Sequence, residues 1–157
     1  METQSSDHPA TEAARLKMEL HRALKTLKQA DLLNERYEQI IRHLDAIVLS
    51  LDPDGKILFV NDFGLKFFGY EAEELIGQQV LGTLIPVTTE ESGRYLPEML
   101  CRLLENPGSF ETNENENVTR DGKRHLVAWK NWAVQDRHGE LVEIVCLGNV
   151  LKSLGSE

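Results

Sequence analysis

From Thr11 to Leu44 the chain contains neither proline nor glycine. Nothing in that stretch stops a helix once it starts, and its Leu, Ala, Glu, Lys and Arg residues are good helix formers. Its apolar positions follow a seven-residue repeat. Ala13, Leu20, Leu27, Asn34 and Ile41 fall at one seam position, and Leu16, Ala23, Ala30, Tyr37 and Leu44 at the other. Nine of these ten are apolar or aromatic, so the seam is long and narrow, the pattern of a coiled coil. The expectation is an amphipathic coiled-coil-like helix over residues 11–45, after a polar, flexible tail over residues 1–10. Asn34 is the polar seam residue; buried against its own copy, it costs stability and fixes register. A homodimer through Leu20, Leu27, Asn34, Tyr37 and Ile41 follows. Leu24 and Leu33 widen the stripe, which leaves packing of the helix within its own chain as the alternative.

The 157 residues allow one ordinary domain beside that helix. Apolar residues make up 41%, enough for a core. The net charge is 17 − 26 = −9, which argues against a nucleic-acid partner because phosphate neutralisation needs a basic face. No apolar run approaches the roughly 20 residues that span a bilayer. The N-terminus lacks the basic-then-apolar pattern of a signal peptide. Cys101 and Cys146 are too few for a disulfide framework and show no metal-site spacing. The expectation is a cytoplasmic protein with no membrane segment.

After the helix, the pattern changes to short elements. Ile47–Asp52 and Lys56–Val60 read as strands joined by the turn Asp52-Pro53-Asp54-Gly55. Asn61 is a good helix cap for a short helix ending at Gly69. A second short helix covers Glu71–Ile76. A longer one covers Glu90–Leu104, with Leu96, Met99, Leu100, Leu103 and Leu104 on its apolar side and Cys101 as a small core residue. Three strands follow, Phe110–Thr119, His125–Gln135 and Leu141–Val150, with turns at Asp121-Gly122 and His138-Gly139. This order gives an α+β domain with one largely antiparallel sheet.

Three segments, LDAIVLSLDPDGKILFVND, FGYEAEELIGQ and NVTRDGKRHLVAWKNWAVQDRHGELVEIVCLGN, resemble the PAS sensory domain in order and spacing. The resemblance covers Leu44–Val150. It implies a PAS-like five-stranded antiparallel sheet over residues 46–150, with short helices on one face, a long N-terminal helix before it and a C-terminal tail over residues 151–157. ENENV and AWKNW resemble PAS modules of bacterial sensor kinases and cyclases, which implies a two-component or related signalling setting and a downstream kinase or cyclase domain as partner. The family usually ends in Asp-Ile-Thr, which couples the last strand to an output helix. Asn149, Val150 and Leu151 stand there instead, and an uncharged Asn cannot make the same ion pair.

Family members hold different ligands, and the chemistry of each needs its own residues. The Gly-x-Asn-Cys-Arg-Phe segment of covalent flavin photochemistry is missing. Haem needs an axial donor, and the long helix of the domain carries no His. Non-covalent flavin has no positive signal and stays open. Strand alternation places every second side chain on one face, and the resemblance implies that Asn115, Asn117, Val127, Trp129 and Asn131 point inward. A three-residue loop at Asp121-Gly122-Lys123 would set Asn117 opposite Val127, Asn115 opposite Trp129 and Asn113 opposite Asn131. Buried amides need partners, so Asn115, Asn117, Trp129 and Asn131 form either a pocket for a small polar ligand or a network that satisfies itself; a register that turns them outward is the third alternative. Trp132 has the opposite parity and is expected on the outer face of the sheet, covered by the N-terminal helix or by a second protomer.

Catalytic constellations are missing. Glu114 and Glu116 alternate on a solvated face, and there is no phosphate loop, zinc spacing or nucleophile elbow. His21 and His43 lack the neighbours of a phosphorylated histidine. The chain is therefore expected to be a sensory module or a constitutive dimerisation adaptor rather than an enzyme.

Overall fold

The computed structural model describes residues 9–87 and 90–155. The chain divides after Ile40 into a helical unit and a compact domain. Helix α1 (Pro9–Arg42) has 34 residues, a length of about 50 Å at the usual rise. It starts two residues before the expected position; residues 1–8 of the expected tail lie outside the described residues. Its seam is exposed within the chain: Leu16 54%, Leu20 60%, Leu27 59% and Tyr37 54%. No described helix is long and apolar enough to cross a membrane.

The domain contains strands β1 (Ile47–Leu51) and β2 (Ile57–Val60), helices α2 (Asp62–Phe68), α3 (Ala72–Leu75) and α4 (Glu90–Glu105), and strands β3 (Glu111–Val118), β4 (Arg124–Gln135) and β5 (Leu141–Leu154). The strands form one antiparallel sheet in the order β2-β1-β5-β4-β3. β1 lies between strands that precede and follow the helices, so its Ile47, Leu49 and Leu51 meet Phe68, Leu75, Leu84, Leu103 and Ile144 in one core.

The three hairpins use one turn. In each, a residue donates its backbone N–H to the carbonyl four residues on: Asp52 to Lys56, Thr119 to Lys123 and Asp136 to Glu140. The last loop residue is Gly55, Gly122 or Gly139, with φ of 83°, 82° and 82°. A three-residue loop that ends in a left-handed glycine is a standard hairpin solution. Asp52 and Asp136 reinforce it by accepting two backbone N–H groups each on Oδ1.

This turn corrects the expected register. The loop is Arg120-Asp121-Gly122, one residue earlier than expected, because the glycine must be last. Asn117 therefore lies opposite His125, Asn115 opposite Val127, Asn113 opposite Trp129 and Glu111 opposite Asn131. Every partner moves by two, so each side chain keeps its face. Two further expectations change. Residues 151–154 are strand, not tail, because Lys152, Ser153 and Leu154 pair with Leu126, His125 and Arg124 at the start of β4. Cys101 is exposed, as is Leu104 at 59%. The buried side of α4 runs through Leu96, Met99 and Leu103, a stripe that leaves positions 101 and 104 outside.

Candidate functional site: an amide and indole face beneath helix α4

The inner face of β3 and β4 carries amides where a core usually carries aliphatic groups. Asn115 is 7% exposed, Asn117 1%, Asn131 2% and Trp129 6%. The indole lies flat over Gly148, its cross-strand neighbour on β5. A Cβ at Gly148 would stand 2.7 Å from the indole ring, so the absence of a side chain there makes room for Trp129.

Most of the amides are satisfied. Trp129 Nε1 donates to Asn117 Oδ1 at 3.1 Å, and Asn117 Nδ2 donates to the Leu84 carbonyl at 3.1 Å. Asn131 Nδ2 donates to Asn113 Oδ1 at 2.7 Å and to the Glu111 carbonyl at 3.3 Å. Asn115 Oδ1 is buried with no partner. An unpaired buried acceptor costs about 1–3 kcal/mol, a cost usually met by an occupant or tolerated for a function.

A chamber of about 30 Å³ lies against this face, closed by Leu49, Leu51, Val80, Ile85, Leu96, Met99 and Cys146 on the apolar side. It holds about two or three waters at roughly 10–15 Å³ each. No histidine lines it. Burial pushes the Cys146 thiol up to about 12, so it is a neutral wall and not a nucleophile. Outside the chamber is a cleft of about 420 Å³ between α4 and β3, lined by Tyr95, Met99, Arg102, Glu111, Thr112, Asn113 and Glu114. Arg102 bridges it, 3.0 Å from Glu111 and 3.4 Å from Glu98.

The residues singled out in the sequence do not all converge. Asn115, Asn117, Trp129 and Asn131 surround the chamber. Leu20, Leu27, Asn34 and Tyr37 belong to the helical unit, whereas Ile41 is the first residue of the domain. Trp132 is half-buried on the outer face, edge-on to Phe110 at 6.0 Å, with Lys130 Nζ 4.5 Å above the Phe110 ring. Pairing aligns Phe59, Ser50, Val145 and Trp132 across that face. The sequence reading missed Phe110 as the partner of Trp132, although its parity with Thr112 was readable. It also missed Tyr95 and Cys146 as chamber walls, which no local signal marks.

The family model described as the PAS fold matches residues 35–151. No curated protein matches the chain. Among solved structures, the PAS domain of an HTR-like protein from Haloarcula marismortui superposes with a TM-score of 0.66 at 18% identity, covering 81% of this chain and 98% of that one. A PAS domain from a two-component sensor histidine kinase gives 0.63 at 15% identity, covering 78% and 99%. The PAS domain of the Cronobacter turicensis RpfR quorum-sensing receptor, in complex with BDSF, gives 0.56 at 22% identity, covering 70% and 97%. At these identities the likeness is one of fold.

Proposed function

The chain belongs to the PAS family, whose domains are generally sensory or regulatory rather than catalytic, and from that premise we propose that it is the sensing and dimerising module of a cytoplasmic bacterial signalling protein with a small polar ligand in its interior. The observation that carries this reading is Asn115 Oδ1, a buried acceptor without a partner beside a chamber. The complex of the RpfR PAS domain with BDSF supports a ligand-holding role for this fold. The two free thiols suit a reducing compartment.

Signal transfer follows from the alternation of β4. Trp129 and Asn131 face the chamber, and Lys130 and Trp132 face outward on the same strand. A ligand that repositions the indole shifts the strand, and with it the aromatic outer face. Such a switch needs a ligand that binds two packings with different affinity. The exposed apolar seam of α1 supports pairing of two copies, with Asn34 fixing the register. A kinase or cyclase domain is the output partner in this reading, and the module itself performs no turnover.

The test is native mass spectrometry of protein purified without denaturation, together with sedimentation velocity. A dimer carrying a bound small molecule supports the reading. An apo dimer favours a constitutive adaptor, which the aromatic row of Phe59, Trp132 and Phe110 also suits. Trp132→Ala should weaken the dimer; an unchanged sedimentation profile and melting temperature refute its role. An apo monomer defeats both readings.

A further inference from the structure

The inner chamber and the outer cleft are neighbours with a common wall. Tyr95, Met99 and Asn113 line both. We propose that they form one site, which takes a non-anionic molecule tip first: an uncharged hydroxyl or primary amide group enters the chamber, donates to Asn115 Oδ1 and accepts from Asn115 Nδ2, while the body of the molecule lies in the cleft between α4 and β3. This inference rests on the ligand-binding reading above and adds the class of ligand and its direction of entry.

The hydrogen-bond inventory sets the polarity of the tip. Asn117 Oδ1 is used by Trp129, and Asn113 Oδ1 by Asn131. Asn117 Nδ2 and Asn131 Nδ2 are both used as donors. What is left over is the Asn115 amide, on a residue 7% exposed: its Oδ1 is buried without a partner, and its Nδ2 makes no hydrogen bond among the described residues. An amide with both ends free calls for a group that donates to Oδ1 and accepts from Nδ2. The chamber lining contains no charged side chain, so an ion inside it would be buried without a counterion. The volume of about 30 Å³ admits two or three heavy atoms. A hydroxymethyl group or a primary carboxamide meets all three conditions.

The cleft sets the body. At about 420 Å³ it has the room that the chamber lacks. Glu111 and Glu114 line the cleft with Arg102, whose charge is already shared by Glu111 and Glu98. That surplus of acid opposes an anionic body. The Met99 side chain, 7% exposed, and the Tyr95 ring stand between the two compartments and must turn aside on entry.

Four probes separate these demands: butyramide (donor tip), hexanamide (the same tip with a longer body), N,N-dimethylbutyramide (no donor) and butyrate (an anion of the same shape as butyramide). Binding to the full chain is followed by the Trp129 indole N–H resonance. Butyramide should give a saturable shift at least tenfold tighter than butyrate. N,N-dimethylbutyramide should give none. Hexanamide should bind more tightly than butyramide, and equal affinity of the two overturns the placement of the body in the cleft. Asn115→Leu should abolish amide binding with the melting temperature unchanged or raised, since it deletes an unpaired acceptor. Equal binding of butyrate and butyramide, or amide binding that survives Asn115→Leu, overturns this inference and leaves the ligand reading standing. If no probe binds, the inference fails; the broader reading fails with it only if native mass spectrometry also finds the protein empty.

Discussion

Gly148→Ala tests the geometry of the site directly. The new Cβ would meet three indole carbons of Trp129, at 2.7, 2.8 and 2.9 Å. The obstacle is a planar ring in a closed core, not a flexible side-chain end. The ring must tilt, and its Nε1–H then leaves Asn117 Oδ1, 3.1 Å away. Overpacking of this kind costs about 1–3 kcal/mol. Loss of the hydrogen bond adds about 1 kcal/mol. The expected destabilisation is about 3 kcal/mol, roughly 2 M in urea midpoint at an m value of about 1.5 kcal/mol/M. Urea unfolding at fixed protein concentration, followed by tryptophan fluorescence, measures it, because both tryptophans lie in β4. Gly108→Ala is the control, with no atom within 4 Å of its added Cβ. In a Trp129→Leu background the obstacle is gone, so Gly148→Ala should cost under about 0.5 kcal/mol, a large coupling for one contact pair. A Gly148→Ala penalty that is small, or equal in both backgrounds, refutes the argument that this glycine exists to seat the indole.

Three other outcomes follow from the same structure. Asn61→Ala should destabilise by about 3 kcal/mol or more, read by chemical unfolding, because it removes a helix cap and also leaves the buried Val48 N–H and Ala46 carbonyl without their partner. The Asp121 carboxylate is held down at about 2 by its bond to Lys123 and then by Thr119, against an ordinary 3.8. A depressed carboxyl stabilises the fold above its ordinary value, and that contribution is lost as pH falls through about 2. The effect on stability is small at this exposed site, so the check is an NMR titration in which Lys123→Met raises the Asp121 midpoint toward the ordinary value; an unmoved midpoint rejects the pairing. Finally, the exposed Cys101 should react with iodoacetamide in the native protein, while Cys146, buried and pushed up to about 12, should react only on unfolding. Equal rates at the two thiols would show that the chamber wall opens readily.

The elements themselves were legible because their signals are local. Period two marked the faces of β3 and β4, period seven marked α1, and Asn61 and Gly69 marked the ends of α2. Parity is robust: the hairpin register slipped by two residues, yet Asn115, Asn117, Trp129 and Asn131 still reached the inner face. The slip had a local cause that the sequence does contain. The left-handed glycine closes each of the three loops, which fixes Arg120-Asp121-Gly122 as the turn.

What only the tertiary structure decided is which buried polar atoms find each other. Asn61 reads as a helix cap, yet its amide also ties Ala46 and Ile41, 15 and 20 residues earlier. Asn117 finds Leu84, 33 residues away. Asn115 finds nothing, and the chamber beside it is walled by residues from β1, α4, β3, β4 and β5 together with the segment before α4. A strand pattern fixes the direction of a side chain, because backbone sterics act between neighbours. It cannot fix a cavity or the partner of an amide, since both depend on how closely distant segments approach, and a shift of one ångström separates a hydrogen bond from an orphaned acceptor.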